Sequence, residues 1–427
     1  MIKHVIAGLC LLFSTLAFSQ ENNASPYSYY GIGDVKFKGT AENRAMGGLG
    51  ILGDSIHVNL QNPAGYGLLK FTTFTIAATT SKTGFKTTEQ SDRSSRTTLD
   101  YIAVAIPVKK LGFAFGLMPY SAVGYRIENT TQPDPTDGFA RYNKFSGNGG
   151  LNRVFGGASY NINKNFSVGA DFQYFFGDIE TSTLTSIPNA ALQYGTRETN
   201  TAEYDGISYN VGAMFKTRIK NKWEMYLSAT YTPETKLNSL VSRNISTVSI
   251  SNSGTEGVVD TVDLTLSDED LTLPSKFSAG AGFGQARKWF AGAEFTAQEA
   301  NELGARFEGV SNVAFKKSQR MSVGGYYIPK FNSFTSYFSR ITYRAGFKYE
   351  KTGLVLNNQD INDYALTMGI GLPLSSVVGS IGSSNLNIGA EIGRRGTTAA
   401  GLVQENYVNI FISLSLNDRW FIKRKYD

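Results

Sequence analysis

Glu405-Asn406-Tyr407-Val408-Asn409-Ile410-Phe411-Ile412-Ser413-Leu414-Ser415-Leu416-Asn417 is the stretch that decides the fold class. Val408, Ile410, Ile412, Leu414 and Leu416 fall on one face of an extended chain, with Asn409, Ser413 and Ser415 on the other. An apolar face opposite a small polar one is what a strand needs when one side meets lipid and the other a lumen. Phe411 is the one bulky residue on the polar side.

Working backwards from this strand, the same period-two pattern recurs in segments of roughly ten residues. They lie near 69–81, 97–108, 111–127, 146–162, 165–184, 204–218, 222–240, 260–284, 288–299, 312–328, 339–353, 360–373, 384–395 and 405–417. The count is about fourteen, an even number, as bacterial single-chain barrels require. Tight links such as Val108 to Leu111 and Ile162 to Asn165 take turns with long polar ones such as Gly84 to Thr97 and Glu128 to Ser146. Short periplasmic turns and long external loops are the rule for such barrels, which places both chain ends on the periplasmic side. The expected fold is therefore all-β: a transmembrane antiparallel β-barrel.

Composition agrees. The chain has 23 Tyr, 28 Phe and 45 Gly with 18% charged residues, unlike a helical protein. Beyond the first residues no apolar run approaches the ~18 residues of a transmembrane helix. A closed barrel satisfies every backbone polar group in lipid without such a run. Lys3, the apolar stretch Val5–Leu16 and Ala17-Phe18-Ser19 read as a secretory signal over 1–19, which removes Cys10 and His4 from the mature chain. The basic surplus, +6 overall, is spread through short turns, so nucleic acid is not expected as a partner.

Three rising strands share one pattern: Phe166-Ser167-Val168-Gly169-Ala170-Asp171, Trp289-Phe290-Ala291-Gly292-Ala293-Glu294 and Leu386-Asn387-Ile388-Gly389-Ala390-Glu391. Apolar residues facing lipid alternate with an inward glycine and an inward carboxylate. Descending strands mirror them with Gly212, Gly280, Gly324 and Gly369. Glycines at one height thin the wall so that other backbone can approach it, or relieve crowding where the sheet closes. Asp171, Glu294 and Glu391, with Arg153, Lys276, Arg320, Arg344 and Lys348, form either a luminal salt-bridge network or, at one of these cations or Arg126, a seat for a ligand carboxylate.

Enzymatic chemistry finds little to use. His57 is the sole imidazole of the mature chain, so a Ser-His-Asp site would have to be built on it, and a hydrogen-bonded structural role suits it better. Metal sites made of His and Cys are excluded by count, and no cofactor is implied. Gly47, Gly48, Gly50 and Gly53 lack the preceding strand, following helix and Lys-Ser/Thr pair of a phosphate loop.

Those glycines belong to the coil that precedes the first strand. Within it Arg44-Ala45-Met46-Gly47-Gly48 and Asn62-Pro63-Ala64 resemble the hatch of the FadL family of outer-membrane barrels. The resemblance implies an N-terminal hatch or plug over 20–68 inside a barrel of 69–417, with a basic periplasmic tail at 418–427. It also implies passive uptake of long-chain fatty acids or other hydrophobic molecules, with hatch movement and lateral release. In that family an inward kink of the third strand opens a lateral gap, and Pro119 with Gly116 and Gly124 falls in the matching strand; an ordinary bulge is the alternative. Phe18-Ser19-Gln20 and Trp420-Phe421-Ile422-Lys423 look like Bacteroidota outer-membrane proteins. The rival expectation is an accessory barrel that transports nothing and serves a larger outer-membrane machine, for type IX secretion or barrel assembly. An apolar pocket favours transport, an occluded lumen the partner role.

Overall fold

The computed structural model describes residues 23–188, 194–219, 222–251, 255–266, 270–300, 312–333, 335–374, 384–418 and 420. The proposed signal and nearly all of the basic tail lie outside them. Fourteen strands run antiparallel around a closed barrel. They are β1 (Thr72–Lys86), β2 (Ser91–Val108), β3 in two parts (Leu111–Pro119 and Ser121–Thr130), β4 (Tyr142–Asn161), β5 (Phe166–Ser186) and β6 (Tyr194–Ile219). Next come β7 (Trp223–Thr232 and Thr235–Ile250), β8 (Glu256–Thr265, Leu271–Leu273 and Lys276–Gln285) and β9 (Trp289–Gln298). The wall is completed by β10 (Val313–Phe315 and Ser318–Tyr327), β11 (Thr342–Leu356), β12 (Gln359–Pro373), β13 (Asn385–Arg395) and β14 (Gln404–Asp418). Closure is made by β1 on β14, in register from Thr72 opposite Asp418 to Lys86 opposite Gln404. Such closure leaves the membrane-level sheet without an edge.

The last strand behaves as its alternation predicts. Ile410 and Ile412 are about half exposed, at 48% and 49%, while Ser413 and Ser415 are buried on the other face. Phe411, the exception, is buried because a cross-strand glycine makes room for it: Phe411 pairs with Gly389, and a Cβ there would overlap its ring. The outward face carries Phe113, Phe115, Leu117, Phe172, Ile207, Val323, Phe347 and Leu366, an apolar surface that suits hydrocarbon. Trp223 and Trp289 pack around Phe283 beside two tight turns, as interfacial aromatics do.

Loop lengths depart from expectation. The segments read as long external loops are mostly strand: β2 begins at Ser91, β4 at Tyr142, β6 at Tyr194 and the first part of β8 at Glu256. Thr and Ser fill them, and such residues complete a ladder without an apolar face, so the period-two hydrophobic signal fades while pairing continues. The alternation of link lengths also fails late in the chain. β11 and β12 join through Asn357-Asn358, both with positive φ, at the end where long loops were expected. Opposite them, β10 and β11 are separated by residues 328–341.

The N-terminal segment, residues 23–71, packs against the inward face of this wall. It contains a 3-10 turn at Pro26–Tyr29, a two-residue strand Asp34–Val35, one α-helical turn at Ala41–Arg44 and a 3-10 helix at Pro63–Leu68. Leu49, Ile51, Leu60, Ala64 and Tyr66 are almost wholly buried. Short turns with little hydrogen bonding of their own cannot hold this shape alone, so the wall must supply partners.

Candidate functional site

Glycines in the wall allow the segment to seat. A Cβ on Gly169, Gly212, Gly280, Gly324, Gly346 or Gly369 would come within 3.0 Å of Pro63, Asn62, Ile51, Met46, Gly47 or Ala45 respectively. Four of these were singled out in the sequence as inward glycines of descending strands. Gly346 was not, because its neighbours Ala345 and Phe347 give it no distinctive setting.

Asn62-Pro63-Ala64 works as a double anchor. The Asn62 carbonyl oxygen of the side chain accepts from the Ala64 backbone N–H at 3.0 Å, capping the 3-10 helix. Its amide donates to Ser228 Oγ at 2.9 Å and to the Ala213 carbonyl at 3.2 Å, so the cap is also a tie to β6 and β7. Asn59 and Gln61, unremarked in the sequence, brace this turn: Asn59 Nδ2 donates to the Gly50 carbonyl at 2.7 Å and Gln61 Nε2 to the Gly48 carbonyl at 2.8 Å. Gly47 has φ +75° and donates its N–H to Thr367 Oγ1 at 2.9 Å, while Gly48 has φ +87°. Met46 packs with Leu49, Ile51, Tyr226 and Phe290.

Charge holds the other side. Arg44 Nε lies 2.6 Å from Glu391 Oε2, and Lys348 Nζ lies 2.6 Å from Glu391 Oε1. One buried carboxylate thus bridges the segment to the wall, and Lys348 continues to Asp363 at 3.2 Å. The Arg44 guanidinium also stacks over Phe411, with its carbon 5.1 Å from the ring centre. Arg395 pairs with Asp34 at 2.6 Å. Arg344 donates to Asn387 Oδ1 at 3.1 Å, and Asn387 donates to Glu42 Oε1 at 2.5 Å. Glu294 accepts from the Gly50 N–H at 2.8 Å. Asp171 accepts from Asn210 at 3.0 Å, and Arg153 donates to Gln173 at 3.2 Å and lies over Tyr120. Asp34 and Glu42 were missed, since a lone charged residue in the N-terminal segment carries no periodic signal, and Asn387 and Arg395 of β13 gain their roles only from those partners.

Arg126 is a correction. Its side chain is 66% exposed and pairs with Glu128 at 3.1 Å. Its neighbours Tyr125 and Ile127 turn to a buried apolar cluster with Ile32 and Leu151, which leaves Arg126 on the opposite, exposed face and outside the luminal network.

β3 breaks after Pro119. The Tyr120 N–H donates to the Leu151 carbonyl at 2.7 Å, and the Tyr120 carbonyl accepts from the Lys36 N–H at 2.8 Å. Beyond the break, Ser121 and Ala122 pair with Val35 and Asp34, so the N-terminal segment takes the edge that β2 has left. Gly124 lets the Asn23 backbone approach, whereas Gly116 lies against β2 and Phe155. Gly150 opposite the break has φ +143°, a region in which a side chain is strained.

His57 sits between Asp54 and Glu42, with Nδ1 at 2.5 Å from Asp54 Oδ2 and Nε2 at 3.6 Å from Glu42 Oε1. A ring between two carboxylates lacks the serine that nucleophilic chemistry requires. Among the described residues no cluster of His, Cys, Asp and Glu could hold a metal.

The space left in the bore is a cavity of about 400 Å³, bounded by the segment below and by Lys276, Arg320, Lys348, Glu350 and Arg395 on the wall. Its lining is mixed: charged side chains predominate, with Tyr30, Ile32, Val35, Phe37, Phe315 and Leu354 among them.

A family model, BamG, matches residues 1–427. Solved structures with the same fold include the Ralstonia pickettii toluene transporter TbuX, at 15% identity and TM-score 0.58, covering 90% of this chain and 100% of that one. A Pseudomonas aeruginosa FadL homologue is 13% identical with TM-score 0.57, covering 91% and 100%. The Pseudomonas putida toluene transporter TodX is 15% identical with TM-score 0.55, again covering 91% and 100%. No curated protein matches the sequence.

Proposed function

We propose, for a chain that belongs to the BamG family and is built as a FadL-like outer-membrane barrel, that it acts as a non-transporting accessory subunit of a barrel-assembly complex in the outer membrane. The observation that carries this reading is the character of the bore. The N-terminal segment is tied to the wall by the Glu391 bridge, the Asn62 amide and the glycine seats, and the remaining cavity carries thirteen charged side chains among its apolar ones. An apolar ligand placed there would desolvate those charges without pairing them, a cost of several kcal/mol for each isolated ion. The family's name points the same way.

The break in β3 favours a second reading, a passive channel in which the segment acts as a moving hatch and a hydrophobic molecule leaves sideways past Pro119. The toluene transporters of this fold lend it an analogy, though fold alone does not carry function. Mild-detergent purification with lipid extraction separates the two. Stable co-purifying outer-membrane proteins and no bound fatty acid are expected, and a fatty acid at near-stoichiometric amount with no partner would overturn the accessory role.

A further inference from the structure

Two kinds of cation line the bore. Arg44, Lys348 and Arg395 are spoken for, each with a carboxylate oxygen at 2.6 Å. Lys38 of the N-terminal segment, Lys276 of β8 and Arg320 of β10 are not: among the described residues none has a carboxylate oxygen within 4.0 Å. All three line both the main cavity and a smaller one of about 40 Å³ beside it. They come from three separate elements, and the register places Lys276 and Arg320 on either side of the inward Gln298 and Thr296 of β9. The nearest carboxylates lie beyond ion-pair distance and do not balance the three: Glu294, which accepts from the Gly50 N–H, and Glu350, the register partner of Arg320, act on Arg320 and Lys276 only through space, while Asp171 accepts from Asn210. Around the main cavity eight Lys and Arg side chains face five Asp and Glu, a surplus of three.

Three like charges brought together at low dielectric repel, and a fold tolerates this where a counterion is to be received. We propose that Lys38, Lys276 and Arg320 form a binding site for a phosphate monoester dianion. A planar guanidinium fork and two mobile ammonium groups suit a tetrahedral oxyanion, and a dianion uses several cations at once where a single carboxylate would leave most unpaired. The Arg320 guanidinium carbon stands 5.9 Å from the Phe37 ring centre, which steers its fork while leaving its donors free for the anion. Burial, with Arg153 nearby and against the pull of Asp171, already pushes the Lys38 ammonium down to about 8, so a bound dianion would restore its full charge. The site belongs to this chain alone and stands or falls independently of whether the barrel has protein partners.

Two probes distinguish a soluble ligand from a lipid headgroup. The full chain in a zwitterionic detergent is titrated with inorganic phosphate and, separately, with short-chain phosphatidic acid, with short-chain phosphatidylcholine and sodium chloride of equal ionic strength as controls. A saturable rise in Tm is expected with at least one phosphate probe and with neither control. Saturation by inorganic phosphate assigns a soluble source; a response to phosphatidic acid alone assigns the headgroup. Lys276→Met should raise Tm in the absence of phosphate, by relieving repulsion, and weaken phosphate about tenfold or more. Arg320→Gln should weaken it as much, and Lys316→Gln, which removes only an exposed pair with Asp360, should not. Equal shifts with chloride, unchanged affinity in Lys276→Met, or a lower Tm of that variant without phosphate would each overturn the site.

Discussion

Replacing Glu391 by Gln removes the carboxylate that Arg44 and Lys348 share and leaves Lys348 with Asp363 at 3.2 Å and Arg44 with Asp100 at 3.9 Å. Both ion pairs of Glu391 are 2.6 Å long, and its side chain is 3% exposed, so solvent screening contributes little. Breaking a buried pair by removing one partner costs ~3–5 kcal/mol when a charge is stranded, and the carboxylates that remain to Lys348 and Arg44 hold the cost to the lower end, ~3 kcal/mol. If that cost falls on docking of the N-terminal segment, the undocked population should rise by roughly two orders of magnitude, at ~1.4 kcal/mol per decade. A cysteine at Ala45, a buried position beside Phe411, reports it in a chain with Cys10 replaced by Ser. Maleimide labelling in mild detergent should be far faster with Glu391→Gln than without. Asp360→Asn is the control, because the Lys316–Asp360 pair is 64% and 60% exposed and such pairs are worth about 0–1 kcal/mol. Equal labelling of Ala45→Cys with and without Glu391→Gln would refute the bridge as an anchor.

Three further expectations follow from the same contacts. Gly346→Ala should lower the unfolding temperature in detergent, because its Cβ would strike the Gly47 and Met46 backbone and overpacking costs ~1–3 kcal/mol, whereas Gly156→Ala, with nothing within 4 Å, should leave it unchanged. Asn62→Ala should cost ~2–3 kcal/mol, combining a lost cap with the ties to Ser228 and the Ala213 carbonyl, and proteolysis should cut the segment sooner. Docking should strengthen with pH from about 8 to ~10.4, since Lys38 loses its proton in the docked state before the free segment does; Lys38→Met should flatten that rise in Ala45→Cys labelling.

The strand set was legible because lipid on one side and a packed lumen on the other impose a period of two on each membrane-crossing segment. The inward carboxylates Asp171, Glu294 and Glu391 were readable for the same reason: their parity is fixed by the apolar residues beside them. Beyond the membrane-crossing lengths Thr and Ser replace the apolar face, the pattern fades, and the extensions at 142–145, 194–203, 241–250 and 256–259 went unread. Arg126 was misplaced because the break after Pro119 resets which face of β3 is packed, and Tyr125 and Ile127 take that face. The functional reading had a similar boundary: the FadL likeness of the hatch motif is local, while the charged character of the bore is a property of many strands at once.

By itself the sequence determined a closed antiparallel barrel and, along unbroken membrane-crossing strands, which residues face in, because alternation is a local consequence of strand geometry. Only the tertiary structure decided which cations are paired. Arg44 and Glu391 meet across more than 300 residues of chain, while among the described residues Lys38, Lys276 and Arg320 have no carboxylate oxygen within 4.0 Å. Such partnership, including the through-space reach of Glu294 and Glu350 to Lys276 and Arg320, depends on stagger between strands and on where the N-terminal segment lodges, distances that no periodicity within one strand encodes.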